Sequence, residues 1–268
     1  MRASEVVEAR GEAAAIEAAV REAGEIALRA FRSRTRSWSK HDGTPVSDAD
    51  LAVDEFLKAR LSGAYPEYGW LSEETADTAE RLTRERLWVV DPIDGTSAFL
   101  SGGDGWCICV ALVERARPVA AGVYKPLTGE YFTAEAGRGA TLDGRPIRAS
   151  RRTRLEGASI VVKPRVLTLD FWRKPWPGVK TAMTASIALR LCRVGAGEED
   201  ATFGIGPKSD WDLAAGDLIV HEAGGRMSDL EGRRMLYNRP ETRQNGFVAA
   251  GSGLFDELVE QTACASRR

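Results

Sequence analysis

The stretch Trp88-Val89-Val90-Asp91-Pro92-Ile93-Asp94-Gly95-Thr96 decides how the rest of this 268-residue chain is read. Three apolar residues predict a buried strand, and that strand runs straight into two acids, Asp91 and Asp94, with a proline and an isoleucine between them. Pro92 has no N–H and ends the ladder, while Gly95 permits the tight turn a chain makes around a small ligand. Two carboxylates this close repel each other unless a cation lies between them. Hard divalent ions such as Mg²⁺ take oxygen ligands, and the Ile93 carbonyl can add a third to the two acids. If a helix starts at Thr96, the N–H groups of Gly95 and Thr96 face an anion, and beside a metal that anion is a phosphate. Asp, Pro and Gly also make an ordinary turn, so the bland reading stays open at this level. A rival phosphatase pattern, Asp-x-Asp-Gly-Thr with a nucleophilic first Asp, has one residue between its acids. Here there are two, which on a regular strand sends the second carboxylate to the opposite face.

The whole chain sets outer bounds. Its 43% hydrophobic content suits a globular core of ordinary size. With 37 basic and 39 acidic residues the formal net charge is −2, so no global field favours a nucleic-acid polymer or a membrane, and a phosphate ligand has to be held locally. No apolar run reaches bilayer length and the Ala- and Glu-rich start lacks a signal peptide's apolar core, so a cytoplasmic protein is expected. Cys107, Cys109, Cys192 and Cys264 are sparse and read as reduced core thiols. Only His41 and His221 are present, so a zinc site of the His/Cys kind is not expected.

Along the chain, Ile16, Val20, Ala23, Ile26 and Ala27 share one face of a helix predicted over residues 6–31. A basic segment at 32–40 leads to a turn at His41-Asp42-Gly43-Thr44-Pro45. A second helix is predicted over 47–61, because Ser47-x-x-Asp50 is a capping-box pattern ahead of an apolar stripe. Gly69-Trp70-Leu71-Ser72 reads as a short strand tipped by Glu73 and Glu74, of which only one can share a site with Asp91. After a helical turn at 96–100, apolar segments at 106–113, 119–124 and 131–134 predict an antiparallel meander. Beyond residue 150, strands near 160–162, 202–204 and 247–250 alternate with helices at 186–194, 212–222 and 254–262, an α/β pattern. Two halves are therefore expected, 1–150 and 151–268, sharing one cleft. Asp212 suits a helix first turn, and a helix end there offers both a carboxylate ligand and a phosphate-friendly dipole.

Trp-Val-Val-Asp-Pro-Ile-Asp-Gly-Thr at 88–96 resembles the signature of the inositol monophosphatase superfamily. Leu71-Ser72-Glu73-Glu74 resembles its upstream acidic segment, and Trp211-Asp212-Leu213-Ala214-Ala215-Gly216-Asp217 through Glu222-Ala223-Gly224-Gly225 its second signature. The resemblance implies an αβαβα sandwich and a metal-dependent, lithium-sensitive phosphate monoester hydrolase. It implies two or three Mg²⁺ held by Glu73, Asp91, the Ile93 carbonyl, Asp94, Asp212 and Asp50. Catalytic roles fall on Asp50, Thr96 and Glu73, and substrate contacts on Gly95, Thr96 and Asp212. Pro45-Val46-Ser47-Asp48-Ala49-Asp50 is similar to the segment whose last Asp binds a further metal and orients water with the signature threonine. Lys40 resembles a lysine near that water, at a spacing one residue shorter than in some relatives. The stretches at 40–47 and Tyr237-Asn238-Arg239-Pro240 look closer to the bacterial 3′(2′),5′-bisphosphate nucleotidase branch, which implies 3′-phosphoadenosine 5′-phosphate as substrate. Inositol-1-phosphate or another sugar phosphate is the alternative, and a metal-dependent binding or regulatory protein the non-enzymatic one. A second phosphate needs a cation away from the metals and the base needs a surface. Lys163, Arg165, Lys180 and Lys208, with Trp172 and Trp176, are the candidates. Monomer and homodimer are both open.

Overall fold

The computed structural model describes residues 3–33, 35–40, 43 and 45–267. Helix α1 (Ala3–Ser33) is followed by a hairpin of β1 (Ser37–Ser39) and β2 (Pro45–Ser47), then α2 (Asp48–Ala64). The turn expected at 41–45 lies largely outside the described residues. The α2 capping box is formed: Asp50 Oδ2 accepts from Ser47 N at 2.8 Å, and Ser47 Oγ accepts from Ala49 N at 3.2 Å.

A seven-stranded sheet follows, made of β3 (Gly69–Ser72), β4 (Arg86–Asp94), β5 (Cys107–Glu114), β6 (Arg117–Lys125), β7 (Glu130–Glu135), β8 (Gly139–Leu142) and β9 (Arg145–Pro146), paired in that order. Only β3 and β4 are parallel; from β4 onward the sheet is an antiparallel meander. The short helix α3 (Thr96–Leu100) joins β4 to β5. The second sheet holds β10 (Ser159–Val161), β11 (Lys180–Ala182), β12 (Ala201–Ser209), β13 (Gly225–Ser228) and β14 (Arg243–Gly251), ordered β11-β10-β12-β14-β13. Its helices are α4 (Ile187–Gly195), α5 (Asp210–Glu222) and α6 (Phe255–Thr262).

Alternation along the strands sorts the core into three clusters that separate five layers. Trp88, Val90, Ile93, Ile108 and Val110 face α1 and α2 on one side of the larger sheet. Leu87, Val89, Cys107, Cys109 and Ala111 face α4 and α5 on the other, and those helices also cover Phe247 and Ala249 of the smaller sheet. Ile160, Phe203 and Val248 face outward onto Phe255 and Leu258 of α6. The result is an αβαβα sandwich, with α5 buried between two sheets, which is why Leu213 to Val220 carry almost no polar exterior. No helix among the described residues is long and apolar enough to cross a membrane. All four cysteines are free.

Candidate active site

The geometry of the site begins with an irregularity in β4. Asp91 pairs with Cys109 and Asp94 with Cys107, so three steps along β4 match two along β5. That is a β-bulge, and the extra residue re-aims the strand beyond it. Cys107 and Cys109 are two apart and share the face that looks onto α4 and α5, and their partners Asp91 and Asp94 are thereby brought to that face together. The expectation that two intervening residues divide the acids between faces holds for a regular strand and fails here, because Pro92 sits inside the bulge and contributes no N–H to a regular ladder.

Asp212, in the first turn of α5, completes the group: one carboxylate oxygen each from Asp91, Asp94 and Asp212 lie within 4.8 Å of one another. Its Oδ2 accepts from Ser209 N at 2.8 Å, so Asp212 caps its own helix while lying in the acidic cluster. Glu73 N donates to Val90 O at 3.3 Å, which continues the β3–β4 pairing one step and sets Glu73 beside Asp91. Glu73 and Glu74 are both held by Lys40 Nζ, at 2.9 and 2.7 Å. Lys40 therefore balances the outer acids and does not reach past them.

Asp50 serves two ends. Its Oδ2 closes the α2 cap, and its Oδ1 lies 3.3 Å from Thr96 Oγ1, which also lies 3.1 Å from Ile93 O. Gly95, the N-cap of α3, has φ +99°, and a Cβ there would stand 2.5 Å from Gly105 O. Only glycine lets the backbone pass this close to the neighbouring loop.

Ser186 and Arg190 are residues that sequence reasoning did not single out. Ser186 Oγ and Ala188 N donate to Asp94 Oδ2 at 2.7 and 2.6 Å, and Ile187 N donates to Oδ1 at 3.2 Å. The α4 N-terminus thus clamps Asp94 from 92 residues away in sequence. The local signal was a serine at a helix start, which by itself predicts only a cap. Arg190 is 8% exposed and donates to the Thr184 and Ala185 carbonyls.

The electrostatics are those of buried acids that the nearby Lys40, Arg190 and Lys208 offset only in part. Burial raises Asp91 well above the carboxylate range, with the charges of Glu73, Asp94 and Asp212 adding to it. Burial raises Asp94 against three hydrogen bonds that oppose it, and raises Asp50 against its own capping bonds. Asp212 is pushed to about 7, by burial first and then by Asp94. Close carboxylates that each raise the next, with hard oxygen donors converging, are the donor set a divalent Mg²⁺-class cation fits.

The nucleotide candidates are placed as follows. Lys208 is half-buried, its Nζ donating to the Ile205 and Pro207 carbonyls, and Lys163, Arg165 and Lys180 are exposed. Trp172 and Trp176 meet edge to face at 5.3 Å, and Trp176 stacks on Phe203 at 5.0 Å. Their rings fill the outer face of the smaller sheet, which removes them as a base-stacking surface. Tyr237-Asn238 is likewise engaged internally: Tyr237 donates to Asp217, and Asn238 accepts from Arg81 and donates from its N–H to Asp210.

The sequence model of the inositol monophosphatase family matches residues 9–267. The chain is 35% identical over 234 residues to the Nus factor SuhB of Xylella fastidiosa, covering 82% of each protein. It is 35% identical over 230 residues to inositol monophosphatase 2 of Solanum lycopersicum, covering 81% of this chain and 86% of that one. The crystal structure of the extragenic suppressor protein SuhB from Bartonella henselae superposes with a TM-score of 0.80 at 28% identity, over 92% of this chain and 96% of that one.

Proposed function

Because this chain belongs to the inositol monophosphatase family and is a metal-dependent phosphomonoesterase, we propose that it hydrolyses a nucleotide carrying two phosphates, of the 3′-phosphoadenosine 5′-phosphate type. In this reading two or three Mg²⁺ ions are held by Glu73, Asp91, the Ile93 carbonyl, Asp94 and Asp212, with Asp50 at the edge of a further ion. Bound there, the metal supplies positive charge against the phosphoryl oxygens and makes water acidic enough to lose a proton near neutral pH.

The chain's own groups do the rest. The one proton of the Thr96 hydroxyl goes to Asp50 Oδ1 or to the Ile93 carbonyl, which leaves its lone pairs to accept a hydrogen bond from the attacking water and fix its line of approach. Asp50, whose Oδ1 faces the Thr96 hydroxyl, accepts the water's proton. The N–H groups of Gly95 and Thr96 at the start of α3 hold the phosphate. Water is the nucleophile throughout, and no covalent phosphoenzyme forms.

One observation supports the second phosphate. Lys208 feels the attraction of Asp212 and the repulsion of Arg190 and Lys163, and burial lowers its pKa first of all. Arg190 is also lowered by burial, with Asp94 as its compensating charge. Half-buried Lys208 thus has two other cations in its field, with Asp212 as the acid that offsets them, and can take up a further anion. A second phosphate supplies that anion, whereas inositol monophosphate brings one phosphate and a ring of hydroxyls that call for acids and amides. The names of the plant relatives favour the inositol ester as the competing substrate. The ratio of kcat/KM for the two compounds at equal Mg²⁺ decides between them, and a preference of about tenfold or more for the inositol ester overturns the nucleotide reading. Lys208→Ala is expected to raise KM for the doubly phosphorylated substrate and to spare a simple aryl monophosphate. Inhibition by Li⁺ is expected with either substrate.

A further inference from the structure

Beneath the acidic cluster lies a second group of ligand atoms of different chemistry. Cys107 and Cys109 are two apart on β5 and point to the same face, with their sulfurs 3.4 Å apart. One oxygen of Asp94 and the two sulfurs all lie within 4.8 Å of one another. Ser186 Oγ, which donates to Asp94, is also 3.3 Å from the Cys107 sulfur. All three ligand residues are buried, and Asp94 belongs to both groups: the cluster with Asp91 and Asp212, and this one.

We propose that Cys107, Cys109 and Asp94 form a binding site for a thiophilic divalent cation of the Zn²⁺ or Cd²⁺ kind, and that filling it inhibits the enzyme by drawing Asp94 away from Asp91 and Asp212. Two thiolates bound tetrahedrally at about 2.3 Å from one ion stand about 3.8 Å apart. The observed separation is 3.4 Å, so the pair needs to open by only a few tenths of an ångström, which a small χ1 rotation provides. Regular strand geometry alone brings residues two apart to one face; the β4 bulge then puts a carboxylate opposite the first of them. The donor set contains no histidine and differs in hardness from the all-oxygen cluster above it. Thiolate donors select soft ions, while Mg²⁺ prefers oxygen and stays with the carboxylates. Each ion bound displaces two thiol protons into solvent, which a soft cation achieves and Mg²⁺ does not.

The test uses Cd²⁺ alone as probe on the purified full chain with saturating Mg²⁺ present. Titration is expected to give the ultraviolet absorption of thiolate-to-Cd²⁺ charge transfer, saturating at one ion per chain, with loss of phosphatase activity over the same range. In Cys107→Ala/Cys109→Ala, basal turnover is expected to persist, the absorption to vanish and inhibition to weaken by about tenfold or more. If the double variant fails to fold by circular dichroism, Cys109→Ser alone keeps the volume and removes one of the two thiolates, so the absorption is expected to fall by about half or more and the inhibition to weaken. Absorption that is undiminished in the variants overturns the proposal, as does inhibition that the substitutions leave unchanged. The absorption is read without substrate, so its outcome stands apart from that of the nucleotide reading.

Discussion

Replacing Asp50 by asparagine separates two jobs that one carboxylate performs. Oδ2 closes the α2 capping box by accepting from Ser47 N at 2.8 Å and Ser47 Oγ at 2.6 Å, while Oδ1 meets Thr96 Oγ1 at 3.3 Å. An asparagine of the same shape keeps a carbonyl oxygen for the cap and presents an amide toward Thr96. Weakening a cap costs about 0.5 to 2 kcal/mol. Against this, Asp50 is held above the usual carboxylate range, chiefly by burial, so the fold disfavours its ionised form and loss of that charge offsets part of the cap. The net change in unfolding free energy is expected within about 1 kcal/mol of wild type. Turnover behaves differently, because the amide accepts no proton. Removal of a general base lowers kcat by about 10²–10⁴-fold, or about 3 to 5 kcal/mol of barrier. Phosphate release at saturating Mg²⁺ and urea unfolding on the same preparation read both numbers. A kcat within about threefold of wild type would reduce Asp50 to a helix cap, and a stability loss above about 3 kcal/mol would attribute lost activity to unfolding.

Asp94→Asn is expected to lower kcat by about three orders of magnitude and to raise the Mg²⁺ concentration needed for half-maximal rate, since an amide is a poor ligand for a hard cation; unchanged turnover at all Mg²⁺ concentrations removes Asp94 from the metal site. Gly95→Ala puts a methyl group 2.5 Å from Gly105 O at φ +99°, so a loss of about 2 to 4 kcal/mol in urea unfolding is expected together with loss of activity. Asp217 is fully buried and held below its usual range because His221 and Arg117 offset the cost of burial, with Arg117 Nη1 at 2.8 Å and Tyr237 donating at 2.8 Å. Asp217→Asn strands that arginine and is expected to cost about 3 to 5 kcal/mol. His221, raised above its ordinary 6.5 by Asp217 against burial, adds stability that is present in full below pH 6.5 and is lost as pH rises through its folded value. With only two histidines in the chain, its imidazole proton signal can be followed by NMR, and in Asp217→Asn its titration is expected to fall; an unchanged midpoint refutes the pairing.

Much of this protein is legible without its fold. The Trp88–Val90 run is a buried strand because apolar residues in unbroken succession need cover on both faces, and both sheet faces are covered here. Ser47-x-x-Asp50 forms the capping box its spacing predicts, since a cap is closed by atoms within one turn. The β5–β6–β7 meander follows from short apolar segments separated by turn residues. The oxygen-rich chemistry around Asp91 and Asp94 also follows from residue type alone.

Other features depend on partners far away in sequence. On an isolated strand Asp91 and Asp94 would diverge; their convergence is set by β5, whose two-step register against three steps of β4 makes the bulge. Asp94 takes its orientation from the N-terminus of α4, and Arg81 joins the turn after β3 to Asn238 near β14. Trp172 and Trp176 show the reverse case. Their position near basic residues suggested a ligand surface, but Phe203 of β12 claims their rings, because burying aromatic area against a sheet outweighs leaving it exposed. Local pattern determined which elements form and which carboxylates are available. The direction in which each carboxylate points was decided by strand register and helix docking, which are properties of pairs of segments and are written in neither segment alone.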